Sequence, residues 1–425
     1  MKELANRRNE VWLRLDNAAK IYPAIRSPEL TAVFRISVDL AQRVKVAAFL
    51  DAVNAIENRF PYYKVRLRTG FFWYYLEYSA LPIAVKADTD RPCRDFNKRE
   101  LMFRVLAREN TISVEFSHIL TDATGAFEFL KSLLLVYFEK CGIAISPEQA
   151  FLRPGETPAN EEYEDAYSRY FKKGPSSLIQ VRKAFHLPFT VKKTSRFNVL
   201  TAMIPLDETS GRSRHYGVSL TEYFIAVYLF SLQQVYENLP LRSRRGSNRI
   251  FRIEVPVNLR RMLPTRTMRN FTLYVLPEID LRLGAYTFEE IIKTVYHQMR
   301  LETDQKLINK VISRNVGSLN NHFVRRVPLF IKSFLLSRFY AIGTSRYSGV
   351  VTNLGKIDIA PDINSQMDNF KFIPPPPNKI LKVNCGIVGF GNKIALSFGN
   401  ITSSRELEKA FLKFLTDDGV HVQTI

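Results

Sequence analysis

Apolar positions along the chain switch repeatedly between a period of two and a period of about 3.6, the signature of strands alternating with amphipathic helices. In the first half, 31–38 reads as a strand and 41–58 as a helix with Val44, Ala48, Val53 and Ile56 facing inward. Segments 63–68 and 71–78 read as further strands, and 101–107 and 111–116 flank a polar Arg-Glu-Asn turn, as a hairpin would. A strongly amphipathic helix is predicted over 124–140, carrying Phe127, Leu130, Leu133, Leu134, Tyr137 and Phe138 on its apolar face. Residues 152–176 break the texture. Pro154, Gly155 and Pro158 lead into an acidic run and then Gly174-Pro175, which reads as a surface excursion ending in a domain connection.

The alternation then restarts. Strands are predicted at 198–206, 248–257, 271–281 and 347–357, and a hairpin at 381–389 and 393–398 turns on Gly391-Asn392. Ser219-Leu-Thr-Glu222 and Thr287-Phe-Glu-Glu290 are capping boxes that open helices, and Ser403-Ser-Arg-Glu406 opens the last one. Pro374 to Pro377 forms a stiff loop. At 425 residues the chain exceeds the size at which one core keeps growing. The expectation is two similar α/β domains, 1–190 and 191–425.

Composition narrows the class. The most apolar stretch, 328–342, is short and interrupted by Lys332 and Arg338, so no spanning helix is expected. The charged N-terminus has no apolar run after it, which argues against a secretory leader. Cys93, Cys141 and Cys385 are odd in number, widely spaced and without neighbouring histidines. They form neither a zinc pattern nor a disulfide framework and suit a reducing cytoplasm.

The net charge of +20 can serve nucleic acid, an anionic membrane surface or an anionic small molecule, or simply sit on solvated loops, and charge alone does not decide among these. The densest basic runs are 241–252, with Arg242, Arg244 and Arg245, and 182–196. Neither interleaves aromatics for stacking or fits a DNA-binding motif, so nucleic acid is not expected. A peripheral membrane contact through the basic surface remains open.

One short segment can carry chemistry, Ser117-His-Ile-Leu-Thr-Asp122. Alternation places Ile112, Val114, Phe116 and His118 on one face of a strand, so the imidazole emerges at the end of a buried strand. A helix begins within a turn of Asp122. Such a junction holds a side chain rigidly with its tip at an opening, which a general base requires. The same spacing also fits a buried histidine bonded to a backbone carbonyl, followed by an N-capping aspartate. Phosphate-binding glycine loops, a nucleophile elbow and clustered metal ligands are all missing. No resident cofactor or metal is expected.

Four blocks together resemble the CoA-dependent acyltransferase superfamily, which includes chloramphenicol acetyltransferase, peptide-synthetase condensation domains and bacterial alcohol acetyltransferases. They are Arg14-Leu-Asp-Asn-Ala-Ala-Lys-Ile-Tyr-Pro23, Phe116-Ser-His-Ile-Leu-Thr-Asp-Ala-Thr-Gly-Ala-Phe-Glu-Phe-Leu130, Val255-Pro-Val-Asn-Leu-Arg260 and Val351-Thr-Asn-Leu-Gly355. Their order spans nearly the whole chain and looks most like the alcohol acetyltransferases. The chain departs from the common pattern at Ser117, where many members have a first histidine, and at Ala123, where glycine is usual; Gly125 follows two positions later. It also lacks an Asp-Phe-Gly-Trp-Gly block.

The resemblance implies two chloramphenicol acetyltransferase-like domains around a central channel, in one chain that is sufficient as a monomer. It implies acyl-CoA as co-substrate and an alcohol or amine as acceptor. His118 would be the general base, and Asp122 a scaffold paired with Arg260. Thr352 or Asn353 would hold the oxyanion, and Arg242, Arg244 and Arg245 would be candidates for the CoA phosphates. Two alternatives are a carrier-protein thioester donor and a silent binding domain of the same fold.

Overall fold

The computed structural model describes residues 12–173, 182–192, 197–320 and 322–425. The charged N-terminal segment, Gly174-Pro175 and part of the 182–196 basic run lie outside these residues.

The N-terminal half builds a five-stranded sheet in the order Met367–Ile373, Val33–Leu40, Thr111–Ser117, Phe103–Arg108, Val85–Ala87. Its two faces differ. Ile112, Val114 and Phe116 point to one side, fully buried with Phe49, Ile56, Phe129 and Leu133 of the helices Val46–Ile56 and Ala123–Lys140. Ser113, Glu115 and Ser117 point to the other side and are also buried. A buried carboxylate is tolerated only when paired. Glu115 meets Arg35 at 2.7 Å and Arg104 at 2.6 Å, and Arg35 reaches Asp88 at 2.9 Å.

The C-terminal half builds an eight-stranded sheet. Its order is Thr272–Val275, Ile250–Asn258, Gly349–Ile357, Val383–Phe390, Lys393–Asn400, Asn198–Pro205, Gln423–Thr424, with Glu278–Asp280 also paired to Ile250–Asn258. Phe251, Ile253, Val255, Val351, Cys385 and Ile387 face the helices Leu220–Glu237, Phe288–Glu302 and Glu406–Asp417 and close a second core. Both predicted capping boxes form, on Ser219 and on Thr287. A third sheet of Trp12–Arg14, Tyr74–Tyr78 and Val65–Thr69 sits beside the first.

The expected division at 190 is crossed. Met367–Ile373, from the C-terminal half, pairs antiparallel with Val33–Leu40, with Phe370 opposite Val38 and Phe372 opposite Ile36. The register shifts between Met367 and Asn369, so the period-two signal is broken and the strand is hard to read in sequence. Other boundaries move for local reasons. The helix expected over 41–58 starts only at Val46, because Ala41 N–H and Val44 N–H donate to the carbonyls of Gln366 and Glu109. Pro277 interrupts 271–281, leaving two short strands. Phe71 and Phe72, expected within a packed strand, stand exposed on a turn before Tyr74.

The two sheets meet at Gly386. A Cβ there would lie 2.4 Å from the Phe372 carbonyl oxygen and 2.8 Å from its ring. The obstruction is backbone, so Gly386→Ala must push the sheets apart. It should destabilise by about 1–3 kcal/mol, the range for overpacking. Gly211→Ala, where a Cβ meets nothing within 4 Å on a helix, is the control. Denaturant midpoints of the two variants check this; a Gly386→Ala midpoint equal to wild type would refute the tight seam.

Candidate active site

Strand Thr111–Ser117 ends one residue before His118, whose N–H donates to Ala32 O at 2.9 Å. The half-buried imidazole stacks on Tyr22 (centroids 5.3 Å, 16°) and leans on Phe34 at 4.6 Å. Its Nδ1 lies 3.2 Å from the Thr121 carbonyl oxygen. A carbonyl only accepts, so Nδ1 carries the hydrogen and Nε2 holds the lone pair. Burial pushes the imidazole pKa below its usual value, against the pull of Asp122, the Thr121 carbonyl and the Asn270 side chain. The ring is therefore neutral at pH 7, the state a general base needs.

Asp122 points away from this ring. It caps the helix Ala123–Lys140 by accepting from Gly125 N–H at 3.2 Å, and it also accepts from Arg260 Nη1 and Phe271 N–H, both at 2.8 Å. Burial raises its pKa, but Arg260 and these hydrogen bonds outweigh burial and hold the carboxyl below the ordinary range. Arg260 is fixed in turn by the carbonyls of Thr267 and Arg269. Gly125 is required by space. A Cβ would lie 2.2 Å from Thr121 Oγ1 and 2.6 Å from Met268 O, which Thr121 and Tyr63 both bond.

Several neighbours were not singled out in the sequence. Asn270 Nδ2 donates to both His118 O (2.9 Å) and Asp16 Oδ2 (3.0 Å), and Asp16 also accepts from Ala19 N–H. The quoted block 14–23 thus converges on the histidine through Asp16 and Tyr22. Glu254, opposite Val350 in register, shares the sheet face turned away from the Ile253 and Val255 core. Burial pushes its carboxyl up to about 7, opposed by a hydrogen bond from Tyr347. Its alternation with buried core residues was the available signal.

The remaining expected residues fall in three places. Thr352 lies on the face opposite buried Val351, the side on which Leu354 packs against the N-terminal core. Asn353 is turned to the helices; its amide donates to Thr221 Oγ1 at 3.0 Å and its carbonyl accepts from Gly355 N–H at 2.8 Å. Arg242, Arg244 and Arg245 form a short helix before strand Ile250–Asn258, whereas Arg260 follows it. The strand alone separates them by about 26 Å, so these arginines are not brought to the histidine. A cavity of about 1330 Å³ is lined by Ile25, Arg94, Lys192, Tyr340 and Lys379, among others, and not by His118. Tyr22, which stacks on the imidazole, shares a short helix with the lining residue Ile25. Among the described residues no cluster could hold a metal ion.

The Asp122–Arg260 pair makes a clear prediction. Asp122→Asn leaves a buried guanidinium without its counter-charge and should cost about 3–5 kcal/mol. Adding Arg260→Met should recover part of the loss, because no stranded charge remains. The depressed pKa of Asp122 contributes stability above its unfolded value and loses it as pH falls through the folded value. Denaturation across pH should therefore show a steeper acid limb in wild type than in Asp122→Asn; equal limbs would refute the pairing's energetic role.

Neither a family model nor a curated protein matches the sequence. Solved structures do match the fold. A wax ester synthase/diacylglycerol acyltransferase from Marinobacter aquaeolei superposes over 96% of this chain and 100% of its own, at TM-score 0.56 and 11% identity. Fusarium sporotrichioides TRI101, solved with coenzyme A and T-2, covers 98% of this chain and 100% of its own, at 0.62 and 8%. The epimerization domain from the third module of tyrocidine synthetase B covers 96% of each, at 0.60 and 10%. The chain has the two-domain, chloramphenicol acetyltransferase-like fold shared by CoA-dependent acyltransferases and condensation-type domains.

Proposed function

We propose that the protein transfers an acyl group from acyl-CoA to a hydroxyl acceptor, forming an ester, with His118 as general base. The observation that supports it is the neutral imidazole held through Nδ1 by Thr121 O, with the Nε2 lone pair left as the basic site. The acceptor O–H gives its proton to Nε2 as its oxygen attacks the thioester carbonyl. The new C–O bond places charge on the carbonyl oxygen. As the intermediate collapses, the C–S bond breaks and the departing thiolate takes the proton back from the imidazolium.

Thr352, on the face turned toward the N-terminal half, is the proposed oxyanion donor. Asn353 is not, since its amide is already engaged. Asp122 acts by position: with Arg260 it fixes the turn that presents the histidine. A carrier-protein thioester donor with an amine acceptor is the second reading, favoured by the likeness to the tyrocidine synthetase domain.

Free thiol release from short- and long-chain acyl-CoAs, with pooled alcohols and amines, tests this. Release should require an acceptor, and His118→Ala should lower kcat/KM by about 10²–10⁴. Unchanged turnover in that variant would remove His118 from the chemistry. Because the base works deprotonated and its pKa is depressed, activity should persist below pH 6.5 and fall only at a lower value. An acid limb above 6.5 would contradict the burial argument. Turnover with a carrier thioester alone would select the second reading.

A further inference from the structure

Helix Leu329–Thr344 follows the usual burial pattern on one side and reverses it on the other. Leu329 and Lys332 are buried, and Leu336 and Tyr340 partly so, forming one inward stripe at spacings of three and four. The outward face is not polar. Phe330 is 75% exposed, Phe334 61% and Phe339 63%, with Ile331, Leu335 and Ile342 beside them. Phe71 and Phe72 extend this surface from the N-terminal half. They are tied to it by Leu329 N–H donating to Phe71 O and by Lys332 Nζ donating to Phe72 O. Contiguous exposed apolar surface of this kind marks a contact with something that excludes water.

The charge of the segment says what kind. Between Asp304 and Asp358 there is no acidic residue, whereas nine lysines and arginines occur. Arg326 and Arg338 stand exposed at the start and on the outward side of the helix. An exposed apolar face on a segment whose only charges are cationic is the arrangement of a helix lying in the plane of an anionic bilayer, its rings below the headgroups and its cations among them. The helix is 16 residues, about 24 Å long, and no helix among the described residues is long and apolar enough to cross.

We infer that the outward face of Leu329–Thr344, with Phe71 and Phe72, docks the protein on an anionic lipid surface. The same helix contributes Ser337, Tyr340 and Thr344 to the wall of the 1330 Å³ cavity. Docking therefore brings one wall of that cavity to the lipid headgroups, where an apolar substrate can leave the bilayer without crossing water. The docking itself does not depend on the acyl-transfer reading.

Flotation of the full-length protein with vesicles of phosphatidylcholine alone, or with 30% phosphatidylglycerol, tests it. The expected result is binding to the anionic vesicles that 0.5 M salt reverses, and at least tenfold weaker binding to the neutral ones. Phe330→Ser/Phe334→Ser/Phe339→Ser should lower partitioning at least tenfold with little change in melting temperature, since these rings are largely exposed. Arg326→Glu/Arg338→Glu should do the same on anionic vesicles only. Absence of binding at low salt, or binding indifferent to lipid charge, would overturn the proposal. So would a concentration-dependent dimer in sedimentation that Phe334→Glu abolishes, because the face would then belong to a second copy.

Discussion

The arrangement depends on one buried ion pair that joins the two halves of the chain. Asp122 caps a helix of the N-terminal half and Arg260 follows the C-terminal strand Ile250–Asn258; the carboxylate is buried and the guanidinium mostly so. Both charges are therefore tolerable only while the halves stay docked. Because the carboxylate also caps the helix Ala123–Lys140 and accepts from Phe271 N–H, the constraint spreads from one contact to a whole junction. His118 sits four residues away and inherits that rigidity without touching either charge.

Electrostatics at the junction are divided in a useful way. Two carboxyls around the site behave oppositely: Asp122 is held ionised by a guanidinium, while Glu254, with only a tyrosine hydroxyl for company, is pushed toward neutrality by burial. The imidazole stays uncharged, flanked by Tyr22 and Phe34. A low-dielectric pocket in which only the scaffold carries charge leaves the base free to accept a proton and return it.

Much of this was legible in the sequence, and what was hidden has physical causes. The period-two run ending at His118, the following amphipathic helix and both capping boxes rest on local interactions, so a linear reading reaches them. The importance of Gly125 was visible as a departure from the usual glycine two places earlier. Asn270 and Asp16 were not readable, because their role is a long-range hydrogen bond with no local pattern. The resemblance offered Thr352 or Asn353 as the oxyanion donor; strand alternation turns Asn353 to the helices, where its amide bonds Thr221, and puts Thr352 on the other face. The exposed rings of 329–344 were read as an interrupted apolar stretch, since sequence alone cannot distinguish an inward from an outward phenylalanine.

The strand borrowed across the halves also bears on how the chain can be made. When Ser117 leaves the ribosome, the N-terminal sheet still lacks its edge partner for Val33–Leu40, and that partner is not synthesised until Met367–Ile373. At translation rates of 5–20 residues per second the open edge waits roughly 10 to 50 s. Throughout that interval a hydrophobic strand edge is available to neighbouring chains. Closure of the N-terminal sheet thus waits for Met367–Ile373, and until then the first half carries an open edge that must be kept from other chains.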